Sequence, residues 1–258
     1  MSAVTANAAP GTPNWVDLGV PDAARGQEFY TALFGWTYDN KGEEFGGYTI
    51  ALKNGKPVAG VMAQMDPNQT ESWWGVYFAT DDARGSDKRI TDAGATTVAA
   101  PMEVGSLGVM AIYTDPSGAQ FGIWEGHDHI GAELVNEPGT IAWNELVTND
   151  TSAAAEFYGA ALECPVEPMD QSGFDYRTIN VAGRPVAGVY GVPAAELAGS
   201  KPRWVTYFGV EDADETARIA TAHGGTIARE PVDSPFGRFV VLKDPFGTEF
   251  AAIALAQE

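Results

Sequence analysis

Two acidic side chains hold the clearest potential for chemistry: Asp17 in WVD and Glu145 in WNE, each two positions after a tryptophan, Trp15 and Trp143. A carboxylate beside indoles is poorly solvated, so it can pair with a cation or act as a general acid or base. Other chemistries lack their groups. No Ser-His-Asp or Cys-His arrangement falls beside these residues, and no phosphate-cradling glycine loop occurs. The single Cys164 reads as an ordinary partly buried thiol and cannot form an internal disulfide.

The two carboxylates are equivalent because the chain repeats itself. WVDLGVPDAARGQEFY at 15–30 is answered by WNELVTNDTSAAAEFY at 143–158, and GKPVAGV at 55–61 by GRPVAGV at 183–189, both 128 residues further on. WWGVYFATDD at 73–82 matches RWVTYFGVED at 203–212, and DPSGAQFGIW at 115–124 matches DPFGTEFAAI at 244–253. The register drifts by only one or two residues, which implies small loop insertions between equivalent elements.

Within each repeat the pattern switches between strand and helix. Val16, Leu18 and Val20 alternate with Trp15, Asp17 and Gly19, so the tryptophan and the carboxylate share the face opposite the apolar one. Asp22 then caps a helix whose Phe29, Tyr30, Leu33 and Phe34 are expected to pack on the Val16 and Leu18 face, and Gly35 stops it. Strands near 46–53 and 57–65 flank a hairpin turn at Lys53-Asn54-Gly55-Lys56, giving a βαβββ unit. A second unit follows, with a strand at 73–80, a helix at about 82–93, and strands near 96, 107–114 and 119–125. Residues 140–254 repeat both units. GHDHIGAELVNEPG at 126–139 has no counterpart and reads as a linker. The expected organisation is therefore a flexible tail at 1–13, a first domain at 14–125, this linker, and a second domain at 140–258.

Composition narrows the partners. Fifteen basic against 35 acidic residues leave a formal charge of −20, which repels nucleic-acid backbones and anionic membranes. No segment approaches the roughly 18 apolar residues a membrane helix needs, and the first thirteen residues lack signal-peptide character. A cytoplasmic protein is expected, monomeric as an internal pseudo-dimer or weakly homodimeric.

In order and duplicated, the strand followed by Asp and the FY pair of the first helix, together with the DPxG turn feeding a strand, resemble the vicinal oxygen chelate superfamily. That superfamily contains glyoxalase I, extradiol dioxygenases, and bleomycin and fosfomycin resistance proteins. The resemblance spans about 14–125 and 140–254 and is strongest to tandem actinobacterial members. It implies an α+β fold of four βαβββ modules in two tandem domains, forming a pseudo-dimer of open eight-stranded half-barrels, each with one trough.

The resemblance also implies where metal ligands would stand, and there the chain departs from it. The first position holds Trp15 and Trp143, the second falls in VAGVMAQ at 58–64 and VAGVYGV at 186–192, the third near Gly75 and Val205, and the last at about Gly122 and Ala251. None offers imidazole, carboxylate or thiolate. His127 and His129 are placed in a solvated linker, and His223 at a helix end. No metal and no cofactor are expected.

In place of metal ligands the trough face is aromatic, and flat ligands stack on such a surface. The expected ligand-binding set is Trp15, Asp17, Trp73, Gly75, Tyr77 and Trp124 in one half and Trp143, Glu145, Arg203 and Tyr207 in the other, with Arg203 a candidate partner for a trough carboxylate. The expected function is metal-independent binding of a small aromatic, cationic natural product, in antibiotic resistance or biosynthesis. The alternative is a cofactor-free tailoring enzyme with Asp17 or Glu145 as acid or base, and a metal-dependent lyase or dioxygenase ranks third. The Gly75 and Trp124 trough is expected to be the roomier one.

Overall fold

The computed structural model describes residues 3–64, 72–169, 173–197 and 200–256. Position 65, the expected end of the second hairpin strand, lies outside them.

Each half of the chain builds one sheet of eight strands. In chain order the first half runs β1 (Pro13–Val20), α1 (Ala23–Phe34), β2 (Thr37–Asn40), β3 (Thr49–Lys53), β4 (Lys56–Ala63), β5 (Trp74–Ala79), α2 (Ala83–Asp92), β6 (Thr96–Val104), β7 (Gly108–Thr114) and β8 (Gln120–Gly126). The second half repeats it with β9 (Ile141–Thr148), α3 (Thr151–Leu162), β10 (Val166–Pro168), β11 (Asp175–Val181), β12 (Arg184–Gly191), β13 (Arg203–Gly209), α4 (Ala213–Ala222), β14 (Thr226–Ser234), β15 (Gly237–Lys243) and β16 (Glu249–Leu255). The strand orders are β2-β3-β4-β1-β5-β8-β7-β6 and β10-β11-β12-β9-β13-β16-β15-β14. Two βαβββ modules therefore pair within each half, joined by the antiparallel contacts of β1 with β5 and of β9 with β13. The four modules form two open mixed sheets. Among the described residues no helix is long and apolar enough to cross a membrane.

The local reasons recur in each module. Every helix starts on an aspartate whose side chain accepts a backbone N–H three residues on: Asp22 from Arg25, Asp82 from Gly85, Asp150 from Ala153 and Asp212 from Glu215. Gly35 ends α1 in the left-handed conformation, φ 68°, as its type suggests. The β1 alternation places Val16, Leu18 and Val20 in the core and Trp15, Asp17 and Gly19 on the opposite face.

The helices do not pack only on their own sheets. Phe29, Tyr30 and Phe34 of α1 meet Phe250 of β16, and Phe34 also meets Phe208 of β13, so the expected seat on Val16 and Leu18 is only part of their contact. Helix α1 lies against α4, and α2 against α3. The two sheets meet back to back through Trp74–Phe208 and Phe78–Trp204, with ring centroids 5.0 and 5.2 Å apart. The FY and DPxG motifs join across this seam. The Tyr30 hydroxyl donates to Asp244 at 3.2 Å and accepts from Trp74 Nε1 at 3.2 Å; Tyr158 donates to Asp115 at 2.9 Å and accepts from Trp204 Nε1 at 2.9 Å. Each aspartate also takes N–H groups of its own turn, so both buried carboxylates are satisfied. The seam leaves the trough faces pointing outward.

The segments read as tail and linker lie against the first half. Val4 N–H donates to Glu133 at 2.9 Å, Asn7 to Gly126 at 2.8 Å, and Gly11 N–H to Ala79 at 2.9 Å. The linker is a strap across the end of the first trough, with Ala132 N–H donating to Asn14 and Glu133 N–H to Pro57, both at 2.8 Å.

Candidate functional site

The first-half trough encloses a cavity of about 720 Å³. Trp15, Asp17, Trp73, Gly75, Tyr77 and Trp124, all the candidates of this half, line it together. Strand pairing explains their meeting: Asp17 faces Gly75 and Trp15 faces Tyr77 across the β1–β5 ladder, while Tyr77 pairs with Gly122 on β8. Trp73 stands at the mouth, 40% exposed.

Residues that sequence reasoning passed over complete the site. Tyr48, at the entry to β3, donates its hydroxyl to Asp17 Oδ2 at 3.3 Å and accepts from Trp15 Nε1 at 2.8 Å. Tyr77 is the second hydroxyl donor to Asp17. Glycines make this convergence sterically possible. A Cβ on Gly60 would collide with the Tyr48 hydroxyl, one on Gly122 with the Tyr77 ring, and one on Gly75 would sit 3.0 Å from Asp17 Oδ1. Burial pushes the Asp17 carboxyl up to about 7 against the opposing pull of the two hydroxyls. The Tyr48 and Tyr77 phenols are held well above the usual range by burial first and by Asp17 second, so both remain donors.

The second half repeats the frame and fills it differently. Trp143 Nε1 donates to the Tyr176 hydroxyl at 3.0 Å, and Tyr207 donates to Glu145 Oε1 at 2.9 Å, with Tyr176 its second hydroxyl partner. Glu145 is 7% exposed, and burial raises its carboxyl although the Tyr176 and Tyr207 hydroxyls and, less, Arg229 draw it back. Arg203 is not its partner, contrary to expectation. On the trough face it sits opposite Val147 and binds Glu249 instead, Nε to Oε1 at 3.1 Å. Arg229 lies over the Phe239 ring, 5.2 Å from its centroid.

His129 corrects the sequence reading outright. The segment lacks a repeat partner and was expected in solvent, yet the strap turns the imidazole into the cavity wall, edge-on to Trp15 at 4.5 Å and 88°, and to Trp124 at 5.7 Å. Its carbonyl accepts from Trp124 Nε1 at 2.7 Å, while its own Nε2 is buried without a hydrogen-bond partner. Burial, and secondarily Lys41, push its pKa down to about 4, so the ring is neutral. Only the 128-residue offset linking Tyr48 to Tyr176 could have disclosed the tyrosines, and nothing in the sequence pattern marked His129.

The glyoxalase-like domain family model matches residues 15–124 and 141–253. The chain belongs to that family and has the vicinal oxygen chelate fold. Its relatives include CFP32 of Mycobacterium tuberculosis, which carries a glyoxylase name, 39% identical over 255 residues and 96% of each chain. The anthracycline biosynthesis protein DnrV of Streptomyces peucetius is 38% identical over 265 residues, covering 96% of this chain and 95% of its own. Solved structures share the fold at low identity. The Mn(II)-bound glyoxalase of Novosphingobium aromaticivorans has a TM-score of 0.64 at 16% identity, covering 94% of this chain and 82% of that one. The 2,2',3-trihydroxybiphenyl 1,2-dioxygenase of Sphingomonas wittichii has a TM-score of 0.65 at 8% identity, covering 96% and 92%.

The fold implies a divalent metal, but the residues present do not fit one. Trough positions hold Trp15, Gly60, Gly75 and Gly122 in one half and Trp143, Gly188, Val205 and Ala251 in the other, with a single carboxylate in each frame. Among the described residues no three His, Cys, Asp or Glu side chains come together as a ligand set.

Proposed function

We propose that the first-half cavity binds a planar aromatic natural product without a metal ion, sequestering or presenting it in antibiotic biosynthesis or resistance. The observation that carries this is the cavity itself, about 720 Å³, walled by Trp15, Trp73 and Trp124 around the Asp17 carboxyl. Large apolar walls with a few converging polar groups suit a flat organic ligand, and each stacked ring adds about 0.5–1.5 kcal/mol beyond burial. The anthracycline context of relatives at 38% identity points to fused-ring polyketides as the ligand class. The rim acids Glu44 and Glu103, with Asp17 in its charged form, outnumber the lining cation Lys41 and favour a ligand carrying an amine.

Fluorescence titration with an anthracycline and with its aglycone, which lacks the amino sugar, tests both parts. Binding of both should quench the tryptophans, with the amine-bearing compound held about tenfold more tightly, the equivalent of about 1.4 kcal/mol. Equal affinities would remove the cationic preference; no binding of either would overturn the reading.

A further inference from the structure

We propose that the first cavity is also a cofactor-free enolisation site, in which Asp17 moves a proton on a bound aryl ketone or hydroxyquinone. This rests on the reading of the cavity as a binding site for flat aromatic molecules.

The geometry supplies a base, two donors and a lane between them. Asp17 Oδ2 is engaged by the Tyr48 hydroxyl, and Oδ1 points toward Gly75, where the neighbouring strand has no side chain to cover it. Trp15 Nε1 donates to the Tyr48 oxygen, which occupies a lone pair and leaves the phenolic hydrogen for an acceptor. Tyr77 supplies the second hydroxyl. Burial brings the carboxyl to about 7, so its basic and acidic forms coexist near neutral pH, while the phenols stay protonated.

The step balances without any further reagent. The C–H bond beside the ligand carbonyl breaks, its proton passes to Asp17 Oδ1, and the electron pair enters the new C=C bond as charge moves to the carbonyl oxygen. Once Asp17 is neutral it no longer requires both phenolic donors, and the Tyr48 and Tyr77 hydroxyls can turn to the enolate oxygen, where fixed donors in a poorly solvated site act most strongly. Asp17 then returns the proton to oxygen or to a different carbon. The product is a tautomer, with no oxidation, no reduction and no leaving group. The second trough shares the frame but not the lane, because Val205 stands where Gly75 does and Arg229 lies near Glu145.

The test uses 2-tetralone, an aromatic ketone with an activated methylene, in deuterated buffer, with exchange followed by proton NMR and binding by tryptophan fluorescence. The wild-type chain should accelerate exchange, and Asp17→Asn should lower the catalysed rate about 100-fold or more while affinity changes less than about threefold. Tyr48→Phe and Tyr77→Phe should each lower it by about tenfold. Binding without exchange, or exchange that survives Asp17→Asn, would overturn the proposal and leave the binding function standing. Failure of the folded wild-type chain to bind 2-tetralone and the anthracycline alike would defeat both.

Discussion

The two troughs share a frame and differ in their walls. Indole, tyrosine, tyrosine and carboxyl recur as Trp15, Tyr48, Tyr77 and Asp17 and as Trp143, Tyr176, Tyr207 and Glu145, with closely similar hydrogen bonds. Around the frame, Gly75 becomes Val205, Ala99 becomes Arg229, Met110 becomes Phe239, Trp124 becomes Ile253, and Trp73 becomes Arg203. The first set leaves space and aromatic surface. The second inserts a guanidinium over a phenyl ring and an Arg203–Glu249 ion pair. The two troughs therefore share a frame, while the side chains around it give them different walls and charge.

Transplanting the second wall into the first is the strongest way to break the comparison. Ala99→Arg with Met110→Phe would reproduce the Arg229–Phe239 contact, which holds the guanidinium over a ring rather than letting it swing to solvent. Affinity for the anthracycline should fall about 100-fold or more, roughly 3 kcal/mol, with the melting transition retained. Arg229→Ala should leave the affinity of the first cavity within about twofold. If the double variant still binds at wild-type strength, the ligand occupies some other place.

The carboxyls supply a second, smaller contrast. An unfolded Asp17 loses its proton near 3.8, whereas the folded one keeps it until about 7. Between those values the folded state binds more protons, so stability falls as pH rises from about 4 to about 7 and then stays level. The full difference corresponds to about 4 kcal/mol, and residual contact of Asp17 with the cavity solvent reduces it. Asp17→Asn should accordingly stabilise the chain by about 1–3 kcal/mol at pH 8 and have little effect at pH 4, measured by urea denaturation at both. Glu145→Gln should act in the same direction and more weakly, because Arg229 already favours the charged form of Glu145. A pH-independent effect of Asp17→Asn would mean that its carboxyl is not held in the neutral form.

How much of this was legible depended on whether a residue's environment lay within its own repeat. Alternation in β1 was enough to separate Val16 and Leu18 from Trp15 and Asp17, because a strand with two different faces writes its register into the sequence. The caps at Asp22 and Gly35 were equally local. Tyr30 was readable as core, but not its bond to Asp244, since that contact crosses the seam between halves and no periodicity encodes it. Arg203 was assigned to a carboxylate of the right charge on the wrong neighbour: Glu249 lies on the adjoining β16, which strand order alone reveals. Tyr48 escaped because its side chain reaches Asp17 across the β3–β4–β1 ladders.

His129 offers the smallest expected effect and the sharpest one, because among the described residues the second trough has no histidine to set beside it. The segment that carries it has no counterpart in the second repeat, and its imidazole makes T-shaped contacts with Trp15 and Trp124. Two roles for the ring lead to different outcomes. If the edge-on contact with Trp15 is what counts, His129→Phe keeps an aromatic edge and also removes a buried nitrogen that lacks a partner, so affinity should stay within about twofold while stability holds or rises by about 1 kcal/mol. His129→Ala should then leave the indole unsupported and weaken binding about three- to tenfold, in line with an aromatic contact of about 0.5–1.5 kcal/mol. If instead the imidazole nitrogen takes a hydrogen bond from the ligand, Phe should lose as much as Ala. The ring is already neutral above about pH 4, so its contribution should be flat from pH 5.5 to pH 8. A change in affinity around pH 7 that persists in His129→Phe and disappears in Asp17→Asn is the one expected of the Asp17 carboxyl.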